Sequence, residues 1–292
     1  MVEESFQVKN QTNLPSQEVP GSKGPRDENF PVGSLLIQKS LRRRVHTFYA
    51  FARASDDIAD DPDISDSDKL ALLNGYESTL KMPMEDDPSF QKAYYLALHC
   101  RDSGVTVQHG VDLIQAFKQD VTKQRYSDWA DLIKYCEFSA APVGRFLLDL
   151  HDENKSLYAY SDALCNVLQV LNHLQDIKSD YQKLNRVYLP SEWLNEFQVN
   201  LEDLGAGRCT PALRSVIDEC IENCEKLMDT ARKLPAKLKS RRLTMETETI
   251  LRLADCLAAR LKTHDPLEGC VKLTKIDFVM CSLMGFGAGL IL

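Results

Sequence analysis

Paired cysteines, a basic excess and long apolar runs are all missing from this chain. Its nine cysteines form no C-x-x-C pair, and no histidine lies near Cys220 and Cys224. A zinc module is therefore excluded, and the scattered cysteines read as buried free thiols of a reducing cytosol. Lys and Arg number 35 against 43 Asp and Glu, a net charge of −8, so there is no broad basic face for nucleic acid. The run Arg42-Arg43-Arg44 and the patch from Lys237 to Arg242 read as solvated helix faces. No stretch reaches the ~18 apolar residues of a spanning helix. The polar N-terminus has no signal-peptide core. Phosphate-loop, H-E-x-x-H and G-x-S-x-G signatures are absent, and Gly285-Phe286-Gly287-Ala288-Gly289 is not preceded by a strand. Neither period-2 strands nor internal repeats are evident.

What remains is a soluble composition, 43% hydrophobic and 27% charged in 292 residues, with helical periodicity almost throughout. Residues 1–28 are rich in Gln, Asn, Ser, Gly and Pro and read as a disordered leader. Residues 29–292 read as a single all-α domain. Val45, Phe48, Phe51 and Ala52 recur at helical spacing, and Ser65 followed by Asp68 predicts a helix start that runs through Lys81. Further helices are predicted over 89–101, 108–123, 128–150, 157–183, 211–234, 243–263 and 274–288. Pro142 kinks the one over 128–150. The apolar tail from Phe278 to Leu292 suits either the core or a bilayer surface.

Two aspartate clusters, far apart in the chain, carry the chemistry. The first is Arg53-Ala54-Ser55-Asp56-Asp57-Ile58-Ala59-Asp60 and the second is Asn172-His173-Leu174-Gln175-Asp176-Ile177-Lys178-Ser179-Asp180. Asp56 with Asp60, and Asp176 with Asp180, stand four residues apart and share a helix face. Such like charges repel unless a cation sits between them, and Mg²⁺ joins carboxylates to substrate phosphates. Gln169, Asn172, Asp176 and Asp180 form one polar stripe on an otherwise apolar helix; buried polar groups are costly unless satisfied, so the stripe reads as the wall of a site. Arg53 is either an ordinary ion-pair partner of Asp56 or a phosphate ligand, and Tyr49 is either core or a hydroxyl reaching the site. Asp120, Lys123 and Arg125 offer a carboxylate and two cations near a helix end, with their role left open. Tyr135, Ala140, Ala141, Val143 and Gly144 would line the kink, where small residues leave room for a ligand. Arg186 and Tyr188 follow the second cluster closely enough to fold back over it.

These residues resemble the squalene/phytoene synthase family from about Asn29 to Leu290. The matching pieces are Tyr49-Ala50-Phe51-Ala52-Arg53 leading into the first cluster, Tyr135 with Pro142-Val143-Gly144, Gln169-Val170-Leu171-Asn172 leading into the second, and Arg186-Val187-Tyr188-Leu189-Pro190. The resemblance implies an all-α isoprenoid synthase bundle with a central apolar cavity. It implies Asp56, Asp60, Asp176 and Asp180 as Mg²⁺ ligands of a catalytic set that includes Asn172 and Tyr49. It implies Arg53, Gln169, Tyr135, Arg186, Tyr188 and Asp120 as the groups binding a prenyl diphosphate. Glu28-Asn29-Phe30-Pro31-Val32, the segment from Gln119 to Tyr126 and Leu273-Thr274-Lys275-Ile276-Asp277-Phe278 are similar to the hopanoid branch of the family. Condensing members carry a serine-bearing segment where this chain has Asn29 to Val32. The departure implies an enzyme that receives an already condensed diphosphate, handed over by other hopanoid-pathway enzymes. The alternatives are head-to-head condensation and a non-catalytic assembly factor of the same fold. A cytoplasmic enzyme making peripheral contact with the inner membrane face is the implied setting.

Overall fold

The computed structural model describes residues 37–84, 87–269 and 271–291. The leader and the segment from Asn29 to Val32 lie outside the described residues. In chain order the helices are α1 (Lys39–Asp60), α2 (Asp66–Lys81), α3 (Gln91–Ser103), α4 (Gln108–Thr122), α5 (Trp129–Ser139), α6 (Ala141–Leu150), α7 (Tyr158–Leu184), α8 (Ser191–Glu196), α9 (Pro211–Ala231), α10 (Arg241–Thr263) and α11 (Lys275–Ile291). Two short strands interrupt them, β1 (Arg125–Tyr126) and β2 (Val187–Pro190).

Local chemistry sets most boundaries. Val45, Phe48, Phe51, Ala54 and Ala59 bury one face of α1. The helix stops at Asp60 because Pro62 disfavours helical backbone at Asp61, which sits at ψ 115°. Ser65, Thr210 and Ser240 cap α2, α9 and α10 by accepting a backbone N–H of the first turn. Asn185 ends α7 in the left-handed region at φ 52°, a conformation that Asn tolerates better than most residues. The chain therefore turns at once into β2.

The core has two parts. In one, Phe51, Leu73, Leu80, Leu96 and Ile114 join α1 to α4. In the other, Leu171, Leu174, Leu213, Ile217, Cys220 and Leu257 join α7, α9 and α10. The long α7 packs against α5, α6, α9 and α10. His109, Asp149 and Tyr158 pin α4, α6 and α7 through a buried chain: His109 Nε2 lies 2.9 Å from Asp149, which accepts from the Tyr158 hydroxyl at 2.6 Å. The cysteines of the described residues are free thiols.

Two expectations change. The strand pair was not foreseen: β1 and β2 run parallel, Val187 N–H donates to Gln124 O at 2.9 Å, and Arg125 Nη2 donates to Asn185 Oδ1 at 2.8 Å. The kink over 128–150 is a full break at Ala140, separating α5 from α6. Gly144 leaves no room for a ligand there, because a Cβ at that position would meet Ser161 Oγ and, at 2.7 Å, Cys165 Sγ. Its smallness lets α6 lie against α7. Gly144→Ala is expected to destabilise the protein by about 1–3 kcal/mol, the usual cost of overpacking. Ser161→Ala in the same chain should restore part of that loss. Thermal denaturation of the three variants checks it, and equal melting temperatures for G144A and native protein would refute the close-packing account.

Candidate active site

The two halves of the core meet where α1 and α4 end and β2 begins. β1 is tied to β2, so the residues after α4 and after α7 are brought together, and Asp120, Arg186 and Tyr188 become neighbours. Arg186 is the bridge. Its Nη1 holds Asp60 Oδ1 at 2.6 Å, its Nη2 donates to Ala59 O at 3.2 Å, and its Nε donates to Asp120 O at 3.2 Å. One buried guanidinium thus joins the first cluster to the end of α4, directly beyond the helix that carries the second. Burial alone would lower the Arg186 pKa, but the charges of Asp120 and Asp60 outweigh it and raise it above its ordinary value.

Asp120 accepts the Tyr135 hydroxyl at 2.8 Å and the Tyr188 hydroxyl at 3.0 Å. Burial pushes its carboxyl up to about 6 against the pull of Arg186 and the two hydroxyls. Burial and the nearby Asp120 charge raise Tyr126, Tyr135 and Tyr188, so all three stay protonated. Their rings form one cluster, with Tyr126 and Tyr188 stacked at 5.5 Å and Tyr135 at 5.4 Å from Tyr188.

In the first cluster, Arg53 pairs with Asp56 at 3.0 Å and with Asp57 at 2.9 Å. Burial and then the Asp60 charge push the Asp56 carboxyl up to about 7, with Arg53 opposing. The strain is that of facing carboxylates, and an oxygen-loving cation would relieve it. Among the described residues no three His, Cys, Asp or Glu side chains converge closely enough to hold a metal ion by themselves. The donor chemistry fits Mg²⁺ all the same, since that ion is usually held by one or two carboxylates together with water and substrate phosphate.

On α7, the half-buried Gln169, Asn172, Asp176 and Asp180 keep the expected stripe. Tyr49 is half-buried on α1, one turn before Arg53. Sequence reasoning passed over His173. Its ring lies against Tyr188 with centroids 3.6 Å apart and planes 13° apart, and its Nε2 is 3.1 Å from Gln169 Nε2. Its position, one helical turn after Gln169, was the available signal.

A helical bundle that carries one aspartate cluster on α1 and another on α7, with a buried arginine tying α1 to the end of α4, belongs to the class of isoprenoid synthases. A family model described as squalene/phytoene synthase matches residues 24–277, and the chain belongs to that family. It is 41% identical to hydroxysqualene synthase of Rhodopseudomonas palustris over 94% of this chain and 91% of that one. It is 38% identical to hydroxysqualene synthase of Zymomonas mobilis, covering 94% and 92%. The crystal structure of squalene synthase HpnC from Alicyclobacillus acidocaldarius superposes with a TM-score of 0.68 at 29% identity, covering 78% of this chain and 85% of that one.

Asp120 generates a pH prediction. Its folded-state pKa, near 6, lies above the ordinary 3.8. Between these values the folded state holds a proton that the unfolded chain releases, so the contribution of Asp120 to stability is lost as pH rises from about 4 to about 6. The stability difference between native protein and D120N should shrink across that window and stay level above it in urea titrations. Asp120→Ala, which strands the buried Tyr135 and Tyr188 hydroxyls, should cost roughly 1–3 kcal/mol for each at pH 7.

Proposed function

We propose that the protein converts presqualene diphosphate and water to hydroxysqualene and diphosphate, at a site built from its two aspartate clusters and Arg186. The Arg186 bridge carries this reading: its side chain holds Asp60 of the first cluster and the end of α4, and it lines one small cavity with Asp180 of the second. The identities of about 40% to hydroxysqualene synthases over most of the chain support the choice of substrate.

Asp56, Asp60, Asp176 and Asp180 would hold Mg²⁺, which supplies charge that stabilises the leaving diphosphate. Arg53 and Arg186 neutralise diphosphate oxygens and orient the carbon–oxygen bond. Tyr49 and Tyr135 would steady the cation left behind through their ring faces, with Tyr188 packed between Tyr126 and His173. Tyr135 and Tyr188 are held protonated and donate to Asp120, so neither is a phenolate that would attack the cation. Asn172 and Gln169 on α7 and Tyr49 on α1 would complete the set.

Head-to-head condensation is the second reading, supported by the likeness to a squalene synthase structure. Product analysis by gas chromatography–mass spectrometry separates the two. Purified protein with Mg²⁺, and without a nicotinamide reductant, is given farnesyl diphosphate or presqualene diphosphate in separate tubes. Hydroxysqualene from presqualene diphosphate alone is expected. Consumption of farnesyl diphosphate to a C30 product would move the assignment to condensation. Asp56→Asn and Asp176→Asn should each slow diphosphate release on the order of 10²-fold, whereas undiminished cellular function in both would favour a non-catalytic assembly factor.

A C30 product needs an apolar destination, and α11 offers one. Ile276, Val279, Met280, Leu283, Met284 and Phe286 are exposed on it, although among the described residues no helix is long and apolar enough to cross a membrane. Its inner side packs antiparallel on α10, with Asp277 paired to Arg260 and Gly285 against Met245 and Thr249. Exposed Lys272 and Lys275 therefore lie at one end of the strip and exposed Arg241 and Arg242 toward the other. Apolar residues between cations suit an anionic bilayer surface, reached from the cytoplasmic face, where other hopanoid-pathway enzymes would hand over substrate. Native protein should co-sediment with phosphatidylglycerol vesicles but not with phosphatidylcholine vesicles, and I276D/L283D should stay in the supernatant. Binding that ignores lipid charge, or a dimer abolished by the same changes, would refute this surface.

A further inference from the structure

Beside Arg186 and the second aspartate cluster the structure encloses a cavity of about 10 Å³, the space of a single water molecule. His173, Asp180, Arg186 and Tyr188 bring polar groups to its lining, and Ile177, Val187, Leu189 and Leu204 make up the rest. A water-sized cavity with polar partners suits a held water, which needs two to four of them.

His173 is fixed on three sides. Tyr188 covers one ring face. The side-chain amide nitrogen of Gln169 stands 3.1 Å from Nε2; an amide NH₂ only donates, so Nε2 accepts and the ring proton resides on Nδ1. Nδ1 faces Asp180 Oδ2 at 3.7 Å. That is too long for a direct hydrogen bond and suited to a shared water. The side chain is 12% exposed, so bulk solvent does not compete freely for Nδ1–H.

We propose that His173 is a positioning residue that holds one water in this cavity, and that this water captures the cation and decides whether the product is an alcohol or a hydrocarbon. The assignment rests on the reaction proposed above. The carbon–oxygen bond of the substrate breaks, and its electron pair leaves with the diphosphate. A lone pair of the held water forms the new carbon–oxygen bond, and one proton of that water passes to the released diphosphate. No oxidant or reductant enters, and His173 keeps its charge throughout. Where no water is held, the cation instead loses a proton from a neighbouring carbon to the same diphosphate and leaves as a hydrocarbon. Gln169 acts through His173 by fixing its tautomer.

The test compares native enzyme, H173F and H173Q on presqualene diphosphate with Mg²⁺, following diphosphate release and the alcohol-to-hydrocarbon ratio, with ¹⁸O-water marking the captured oxygen. Phenylalanine keeps the stacking on Tyr188 and removes Nδ1–H; glutamine restores a donor. In H173F, diphosphate release should persist while the ratio falls about tenfold, the size of one hydrogen bond to a charged or developing-charge partner. H173Q should recover part of it, and circular dichroism melts should show both variants folded. An unchanged ratio in a folded H173F, or a loss of diphosphate release equal to the loss of alcohol, overturns the proposal while leaving the reaction standing. Native enzyme that makes hydrocarbon and no alcohol from presqualene diphosphate overturns both.

Discussion

A buried guanidinium needs compensation on every side, and in this protein the needs of Arg186 organise the site. Its side chain is 8% exposed, so each N–H that lost water must find an acceptor. It takes a carboxylate from the last residue of α1, a carbonyl from the residue before it, and a carbonyl from α4. None of these is close to Arg186 in the chain. They meet because Pro62 ends α1 at Asp60, because Asn185 turns the chain sharply out of α7, and because β1 holds β2 beside the end of α4. Removing any of these would separate the partners before it touched a catalytic group.

The same residue settles the electrostatics. Asp56, Asp57, Asp60 and Asp120 crowd one region of a protein that is already net negative. Burial raises two of these carboxyls, Asp56 and Asp120, toward neutrality, and at Asp56 the neighbouring carboxylates add to it. Arg53 and Arg186 oppose that trend without cancelling it. On the proposed reading, such a set would repel further anions until divalent charge arrives and would offer guanidinium groups to a diphosphate. An acidic cluster with no arginine would bind metal and have little to hold the phosphate oxygens. A purely basic cluster would bind the phosphate and have no carboxylate for the metal.

Helices were legible in the sequence by their apolar spacing, and at Ser65 by the cap as well, whereas the caps Thr210 and Ser240 emerge only in the structure. The polar stripe on α7 was legible because charged residues interrupt an apolar helix at fixed spacing. The strand pair was not, since two and four residues are too few to show a period; only the coordinates reveal that Arg125 pairs with Asn185 across the chain. Gly144 was misread for a related reason. A glycine at a helix kink permits either a ligand or a neighbouring helix to approach, and composition cannot tell which. His173 escaped notice because its importance lies in a stack with Tyr188, a residue beyond the end of its own helix.

The distribution of polarity along α7 then explains how one helix can serve both ionisation and product control. Leu164, Val167, Val170, Leu171 and Leu174 are buried in the core, while Gln169, Asn172, His173, Asp176 and Asp180 share the opposite side. In the proposed reaction, a carbocation formed near Asp180 and Arg186 would meet the Tyr135 and Tyr188 hydroxyls, both already committed to Asp120. Few groups there can donate a lone pair to it. In such surroundings the fate of the cation is set by whichever nucleophile is held in place, and a single water fixed by an imidazole edge is enough to choose between an alcohol and a hydrocarbon. Selectivity of this kind requires no large rearrangement of the fold, only control of one water-sized space at the charged end of an otherwise apolar helix.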